Sequence, residues 1–167
     1  MSKDQTKDSL KFLKPFDSNT IELVMWLRDF AWDLCPQANE LIYDNYNAVA
    51  FGWSPTDKVG HTACSIAVGR SSKNIHFGFY WGNELSDPKQ ILLGEGNQYR
   101  YILVTDKKNF PKAYMKRLVA EALANSLAKV KDQQQIKHGL TIVKSISDKK
   151  RPEKTKPAKK VKKKNAK

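Results

Sequence analysis

Asn74-Ile75-His76-Phe77-Gly78-Phe79-Tyr80-Trp81 is the stretch on which the fold turns. Read in steps of two, Ile75, Phe77, Phe79 and Trp81 share one face, and His76, Gly78 and Tyr80 share the other. Large apolar residues alternating with smaller or more polar ones predict a strand in a sheet covered on one side. Upstream, Tyr46–Trp53 and His61–Gly69 are likewise rich in β-branched and aromatic residues. Ser54-Pro55-Thr56-Asp57 with Gly60, and then Arg70-Ser71-Ser72-Lys73, supply turn chemistry between these strands at hairpin distance. Downstream, Leu93-Gly94-Glu95-Gly96-Asn97 leads into a fourth strand, Tyr99–Thr105, and Leu140–Ile146 reads as a last strand or an extended edge.

Two helical patterns flank the strands. Asp17-Ser18-Asn19-Thr20 offers N-cap oxygens before Leu23, Trp26, Leu27, Phe30 and Leu34, which recur at helical spacing, with Glu22 three residues past Asn19 as in a capping box. Pro36 closes this helix, and a short helical turn is expected from Gln37 to Ile42. Asn109-Phe110-Pro111 opens the second helix, whose apolar stripe is Tyr114, Leu118, Ala122, Leu123 and Leu127. The expected fold is α+β: an antiparallel four- to five-stranded sheet with N- and C-terminal helices packed on one face. The expected division is a loose lead-in over residues 1–14, the domain over 15–147, and a disordered lysine-rich tail over 148–167. The Phe77, Phe79 and Trp81 stripe is then core against which the helices pack, or else the wall of a pocket between sheet and helices with Tyr46 or Trp53 at its rim.

The charge is unevenly distributed. The chain carries a formal +13, but Lys149 to Lys167 holds eleven Lys/Arg and one Glu153, a local +10, which leaves +3 for the rest. The tail cannot bury enough apolar surface to fold, and a polycation binds polyanions by counterion release. Lys159, Lys160, Lys162, Lys163 and Lys164 are therefore candidates for weak, sequence-independent nucleic-acid contact, with a merely solubilising tail as the alternative. No apolar run approaches the roughly 20 residues of a membrane span. The polar N-terminus and two cysteines without metal or redox spacing, Cys35 and Cys64, point to a cytoplasmic protein with two buried thiols.

Phe77-Gly78-Phe79-Tyr80-Trp81-Gly82-Asn83-Glu84-Leu85-Ser86-Asp87-Pro88 is followed by Leu92-Leu93-Gly94-Glu95-Gly96-Asn97-Gln98-Tyr99-Arg100-Tyr101-Ile102. A strand ending in Gly, then Leu-x-Asp-Pro, then Leu-x-Gly-x-Gly-x-x-x-Arg-x-Ile resembles the YdhG-like family of small bacterial proteins of undetermined function. The resemblance runs from about Thr20 to Leu127. It implies a small α+β domain without catalysis, described as frataxin-like, and for some members an iron-chaperone role. The chain departs from that pattern in its basic tail and in Tyr101, where a basic residue often follows the arginine.

Candidate chemistry follows from the residues. Asp87 can bond the backbone amides after Pro88, and Gly94 and Gly96 let the chain fold back tightly. Arg100 either pairs with Asp87 or Glu95 to lock the loop, or joins Gly94 and Gly96 in an anion-binding cradle. For iron, which prefers clustered carboxylates, Glu22, Asp29 and Asp33 fall near one line of the first helix, with Glu40 and Asp44 as a second pair. The alternative is an ordinary solvated helix face balanced by Arg28. His61, His76 and His138 lack a metal-ligand motif, and there is no nucleophile elbow, Walker loop or zinc signature. The sequence therefore reads as a non-enzymatic binding domain of the YdhG-like type, for which the resemblance implies iron as a candidate cofactor, or alternatively as a nucleic-acid-associated protein acting through its tail.

Overall fold

The computed structural model describes residues 6–154. Helix α1 (Thr6–Leu13) and helix α2 (Ser18–Leu34) precede strands β1 (Asn39–Asp44), β2 (Ala48–Ser54), β3 (Cys64–Gly69), β4 (Ile75–Phe79) and β5 (Arg100–Leu103). Helix α3 (Lys112–Ala128) and strand β6 (Thr141–Ile146) complete the chain. The six strands form one sheet in the order β5-β4-β3-β2-β1-β6. Neighbours from β1 to β5 pair antiparallel, and β6 pairs parallel to β1.

The α+β class and the two long helices agree with the sequence reading; the sheet does not match it fully. It is mixed and has six strands, because Asn39–Asp44, expected as part of a helical turn, is a strand. The reason lies in Glu40 and Asp44. Four residues apart they suggest a helix face, yet both point to the buried side of β1, where each meets an arginine. Arg28 Nε and Nη2 of α2 donate to Glu40 Oε1 and Oε2 at 2.6 and 2.8 Å, and both side chains are sealed from solvent. Arg70 Nη2 donates to Asp44 Oδ1, while its Nε donates to Asn45 O at 2.9 Å.

One face of the sheet carries the core. Register places Trp53 beside Cys64 and Cys64 beside Phe79, Phe51 beside Ile66 and Ile66 beside Phe77, Val49 beside Val68 and Val68 beside Ile75. All of these are buried. Phe77 sits within 5.8–6.0 Å, ring centre to ring centre, of Phe30 from α2, Phe110 from the start of α3, and Phe79. The expectation of core for Phe77 and Phe79 is met, and both helices pack on this face. Trp81 lies beyond the end of β4, half-buried, its indole donating to Gly60 O at 2.8 Å.

The lead-in expected over residues 1–14 also differs. Residues 6–13 are helical, and Phe12, Leu13 and then Phe16 enter the core, an apolar set too short for its periodicity to stand out in the sequence. Asp17 caps α2, accepting from Thr20 N at 2.9 Å, and this bond holds its carboxyl below the usual range. Glu22 takes no part in the cap. The first residues of the expected tail are docked: Lys150 Nζ reaches Asp44 Oδ2 at 2.7 Å, Arg151 N donates to Tyr46 O at 2.9 Å, and Glu153 pairs with Lys73 at 2.6 Å. The candidate lysines from Lys159 to Lys164 lie outside the described residues.

Candidate functional site

The face opposite the core is built from small residues. In β2, Ala48-Val49-Ala50-Phe51-Gly52-Trp53 alternates large with small, so the large side chains fill the core and Ala48, Ala50 and Gly52 form the other surface. Ser65 and Ala67 of β3 and Gly78 of β4 continue that floor. Aromatic and hydroxyl groups stand over it. Tyr43 of β1 is the partner of Ala50, and Thr62 lies over Gly52, where a Cβ would stand 3.0 Å from the threonine methyl. A Cβ on Gly78 would collide with the Tyr99 ring, so glycine there is what lets Tyr99 lie against the sheet.

A cavity of about 330 Å³ opens on this face, lined by Tyr43, Asn45, Ala50, Gly52, Val59, Thr62, Ser65 and Tyr80. That volume lies within the range of small-molecule sites, about 300–1,000 Å³. Its wall is rigid. The turn at Val59–His61 is pinned by Trp81 through Gly60, and Thr56 Oγ1 contacts His61 Nδ1 at 2.8 Å. The hydroxyls of Tyr43 and Thr62 are enclosed and have no hydrogen-bond partner among the described residues. Burial, aided by Tyr80, pushes the Tyr43 phenol above its usual pKa, so it remains a donor at neutral pH. Burial also raises the pKa of Tyr99, opposed by its hydrogen bond with Ser65, and lowers that of His76, whose ring stacks on Tyr101 at 4.0 Å. An unpartnered buried hydroxyl costs roughly 1–3 kcal/mol, and two of them belong to residues of this one lining.

The residues singled out by sequence occupy other places. Asp87 organises its loop: Oδ1 accepts from Tyr114 Oη at 2.6 Å and Ile91 N at 3.3 Å, and Oδ2 accepts from Leu92 N at 2.9 Å. Burial raises its pKa, but these bonds together outweigh it and keep the carboxyl ionised below the usual range. Gly94, Gly96 and Arg100 do come together. Gly94 holds φ at +118°, whereas Gly96 has open space around it. Arg100 Nη1 donates to the carbonyls of Gly96 and Tyr99 at 2.7 and 2.8 Å, so the loop is tied by carbonyls, with neither Asp87 nor Glu95 as its partner among the described ion pairs.

The five candidate iron ligands are not assembled. Glu22 is paired with Lys107, Asp29 and Asp33 are exposed on α2, and Glu40 and Asp44 are each engaged by an arginine inside the core. On a strand, four residues span about 13 Å, which separates Glu40 from Asp44 where a helix would have stacked them. Among the described residues no three His, Cys, Asp or Glu side chains gather as a metal ion would require. His61 lies in the turn before β3 and His76 within β4, so they are not cross-strand neighbours. Cys35 and Cys64 are both buried and reduced; the Cys35 thiol beside Cys64 and burial push the Cys64 thiol well up, so neither chemistry nor access favours a nucleophile. No helix among the described residues is long and apolar enough to cross a membrane.

No protein-family profile, curated protein or solved structure matches the chain.

The cavity was missed in the sequence although its signal is there. Ala50, Gly52, Ser65 and Gly78 fall on one parity of three strands, and a row of small residues on an open sheet face leaves room for something else.

Proposed function

We propose that this chain is a non-enzymatic binding domain whose ligand sits on the open face of the sheet. The observation that carries the reading is the cavity over Ala50 and Gly52, with the Tyr43 and Thr62 hydroxyls enclosed and unpartnered. The lining has hydroxyls, an amide and aromatic walls, and it lacks the paired acid and base that proton-transfer catalysis requires. The YdhG-like motif implies the same non-catalytic class. In this chain the motif's Asp87, Gly94 and Arg100 are engaged in holding their own loop.

The test is amide chemical-shift mapping of the labelled full-length chain against a library of small, uncharged fragments. Shifts are expected to cluster on Tyr43, Gly52, Thr62, Ser65 and Tyr80. Hits that cluster instead on the apolar recess between Cys35, Ala38, Leu123 and Ile136 would overturn the assignment of the site.

A second reading has its own observation. The start of the basic segment is fixed to the domain, because Lys150 and Arg151 are bonded to Asp44 and Tyr46. Weak, salt-sensitive nucleic-acid contact through that tail is compatible with a ligand on the open face.

A further inference from the structure

We infer that the open-face cavity takes the uncharged heteroaromatic ring of a nucleotide unit, whose phosphate lies across the β1–β2 turn against Ser71, Ser72, Arg151 and Lys154. This inference rests on the proposed open-face site and specifies its ligand.

Two cavities stand on either side of that turn. The first ends at Asn45, and a second, of about 140 Å³, is lined by Asn47, Gly69, Ser71, Ser72, Arg151 and Lys154. Gly69 of the second cavity is the cross-strand partner of Ala48, which shares a sheet face with Ala50 and Gly52 of the first, so the two cavities follow one another along β2. Their linings differ in kind. The first has no charged side chain, so an ionic group buried there would lose water without gaining a counter-charge. A purely apolar ligand fits no better, because the lining also carries the Asn45 amide and the side chains of Thr62, Ser65, Tyr43 and Tyr80, so it is not apolar throughout. What satisfies both conditions is a neutral ring with hydrogen-bonding atoms at its edge. Ala50 and Gly52 give it a flat floor, and Tyr43 and Tyr80 give it aromatic walls suited to stacking.

The second cavity has the opposite character. Two hydroxyls, a guanidinium and an ammonium line it, which is phosphate-binding chemistry. The carboxylate that could neutralise it, Glu153, is paired with Lys73, and Arg151 is fixed by its backbone bond to Tyr46 and by Nη1 to Asn47 Oδ1 at 3.2 Å. A neutral ring site followed along one strand by an anion site is the layout of one nucleotide. The same chemistry is offered by a free nucleotide and by a base in a single strand.

The probes are adenosine, adenosine monophosphate, thymidine monophosphate and a short oligothymidylate, each titrated into the labelled full-length chain at low and at physiological salt. Adenosine is expected to shift Gly52, Thr62, Ser65 and Tyr80, and the monophosphate to bind more tightly and also shift Ser71 and Ser72. That advantage should shrink as salt rises. Ala50→Leu, which fills the floor of the ring site, should weaken both by about tenfold or more. Thr62→Val should weaken them without filling the cavity, which guards against a folding defect in the first variant. Oligothymidylate binding that depends on Ala50 and exceeds that of thymidine monophosphate would identify a strand as the source; the reverse would identify a free nucleotide. If nucleotides leave these amides unmoved while other neutral fragments shift them, the nucleotide inference fails and the open-face reading stands. If no fragment or nucleotide shifts them, both fail. Oligothymidylate binding indifferent to Ala50→Leu and lost on ending the chain after Lys154 would also overturn the inference, by assigning the contact to the tail alone.

Discussion

Glu40→Gln is the substitution that most directly tests how this domain is held together. The carboxylate receives two bonds from Arg28, at 2.6 and 2.8 Å, and a third from Thr141 Oγ1 at 3.0 Å, with Arg28 and Glu40 exposed by only 1% and 0%. The amide keeps the size of the side chain but leaves a guanidinium in the core without a counter-charge. Breaking one partner of a buried pair costs about 3–5 kcal/mol, a large part of the roughly 5–15 kcal/mol available to a domain. With a urea slope of about 2 kcal/mol/M, the unfolding midpoint should fall by roughly 1.5–2.5 M at unchanged slope. Replacing both partners, Arg28→Met with Glu40→Leu, removes two charges together and should recover most of the loss. Ferrous iron added to the parent and to Glu40→Gln should leave the difference between them unchanged, since Glu40 is committed to Arg28. A loss below about 1 kcal/mol for Glu40→Gln, the value of a surface pair, would refute the reasoning.

Other consequences are as direct. Asp87→Ala removes the acceptor for Leu92 N, Ile91 N and the Tyr114 hydroxyl; it should cost about 1–3 kcal/mol and speed amide exchange at Ile91 and Leu92, and unchanged exchange there would count against it. His76 is held below its ordinary pKa of about 6.5 by burial, so the unfolded chain binds more protons between the lowered value and 6.5. Stability should therefore rise with pH through that window and fall as the pH drops into it, and His76→Gln should flatten this part of an unfolding-versus-pH curve. Ending the chain after Lys154 should leave its stability unchanged and abolish most salt-dependent DNA binding. Ending it after Asp148 should in addition cost about 1 kcal/mol, because Lys150 is lost from Asp44; equal unfolding midpoints for the two truncations would contradict the docked root.

The core was legible because Phe77 and its neighbours obey the simple rule that large apolar side chains of a half-covered strand share a parity. The same rule failed for β1, where the buried parity carries Glu40 and Asp44. A carboxylate faces a core only when an arginine waits there, and Arg28 and Arg70 lie 12 and 26 residues away along the chain. The parallel pairing of β6 was equally out of reach, since the partner of Thr141 is about a hundred residues earlier. The expected Glu40 and Asp44 pair came apart with the misassigned turn: spacing that stacks side chains on a helix separates them on a strand. The Asp87 turn was read in its local part, the amides just after Pro88, but Tyr114 arrives from α3. The open-face cavity was written in Ala50, Gly52 and Ser65, but small residues announce only a space, and what borders that space depends on Thr62 and Tyr80 being brought over it.

The parallel strand at the edge also sets a timetable. Strands β1 to β4 are joined by short turns and can pair as soon as each leaves the ribosome. Strand β6 must wait for the whole of α3. Closing a loop of about a hundred residues costs roughly 3 kcal/mol more chain entropy than closing a tight hairpin. Until that happens, β1 is an open edge with Leu41, Ile42 and Tyr43 along it, available to any other extended segment nearby. Synthesis of the chain between Asp44 and Ile146 is thus the interval in which this protein is most exposed to mispairing. The bonds from Ser147, Lys150 and Arg151 to the β1–β2 turn close that interval by fastening the newly arrived strand in register.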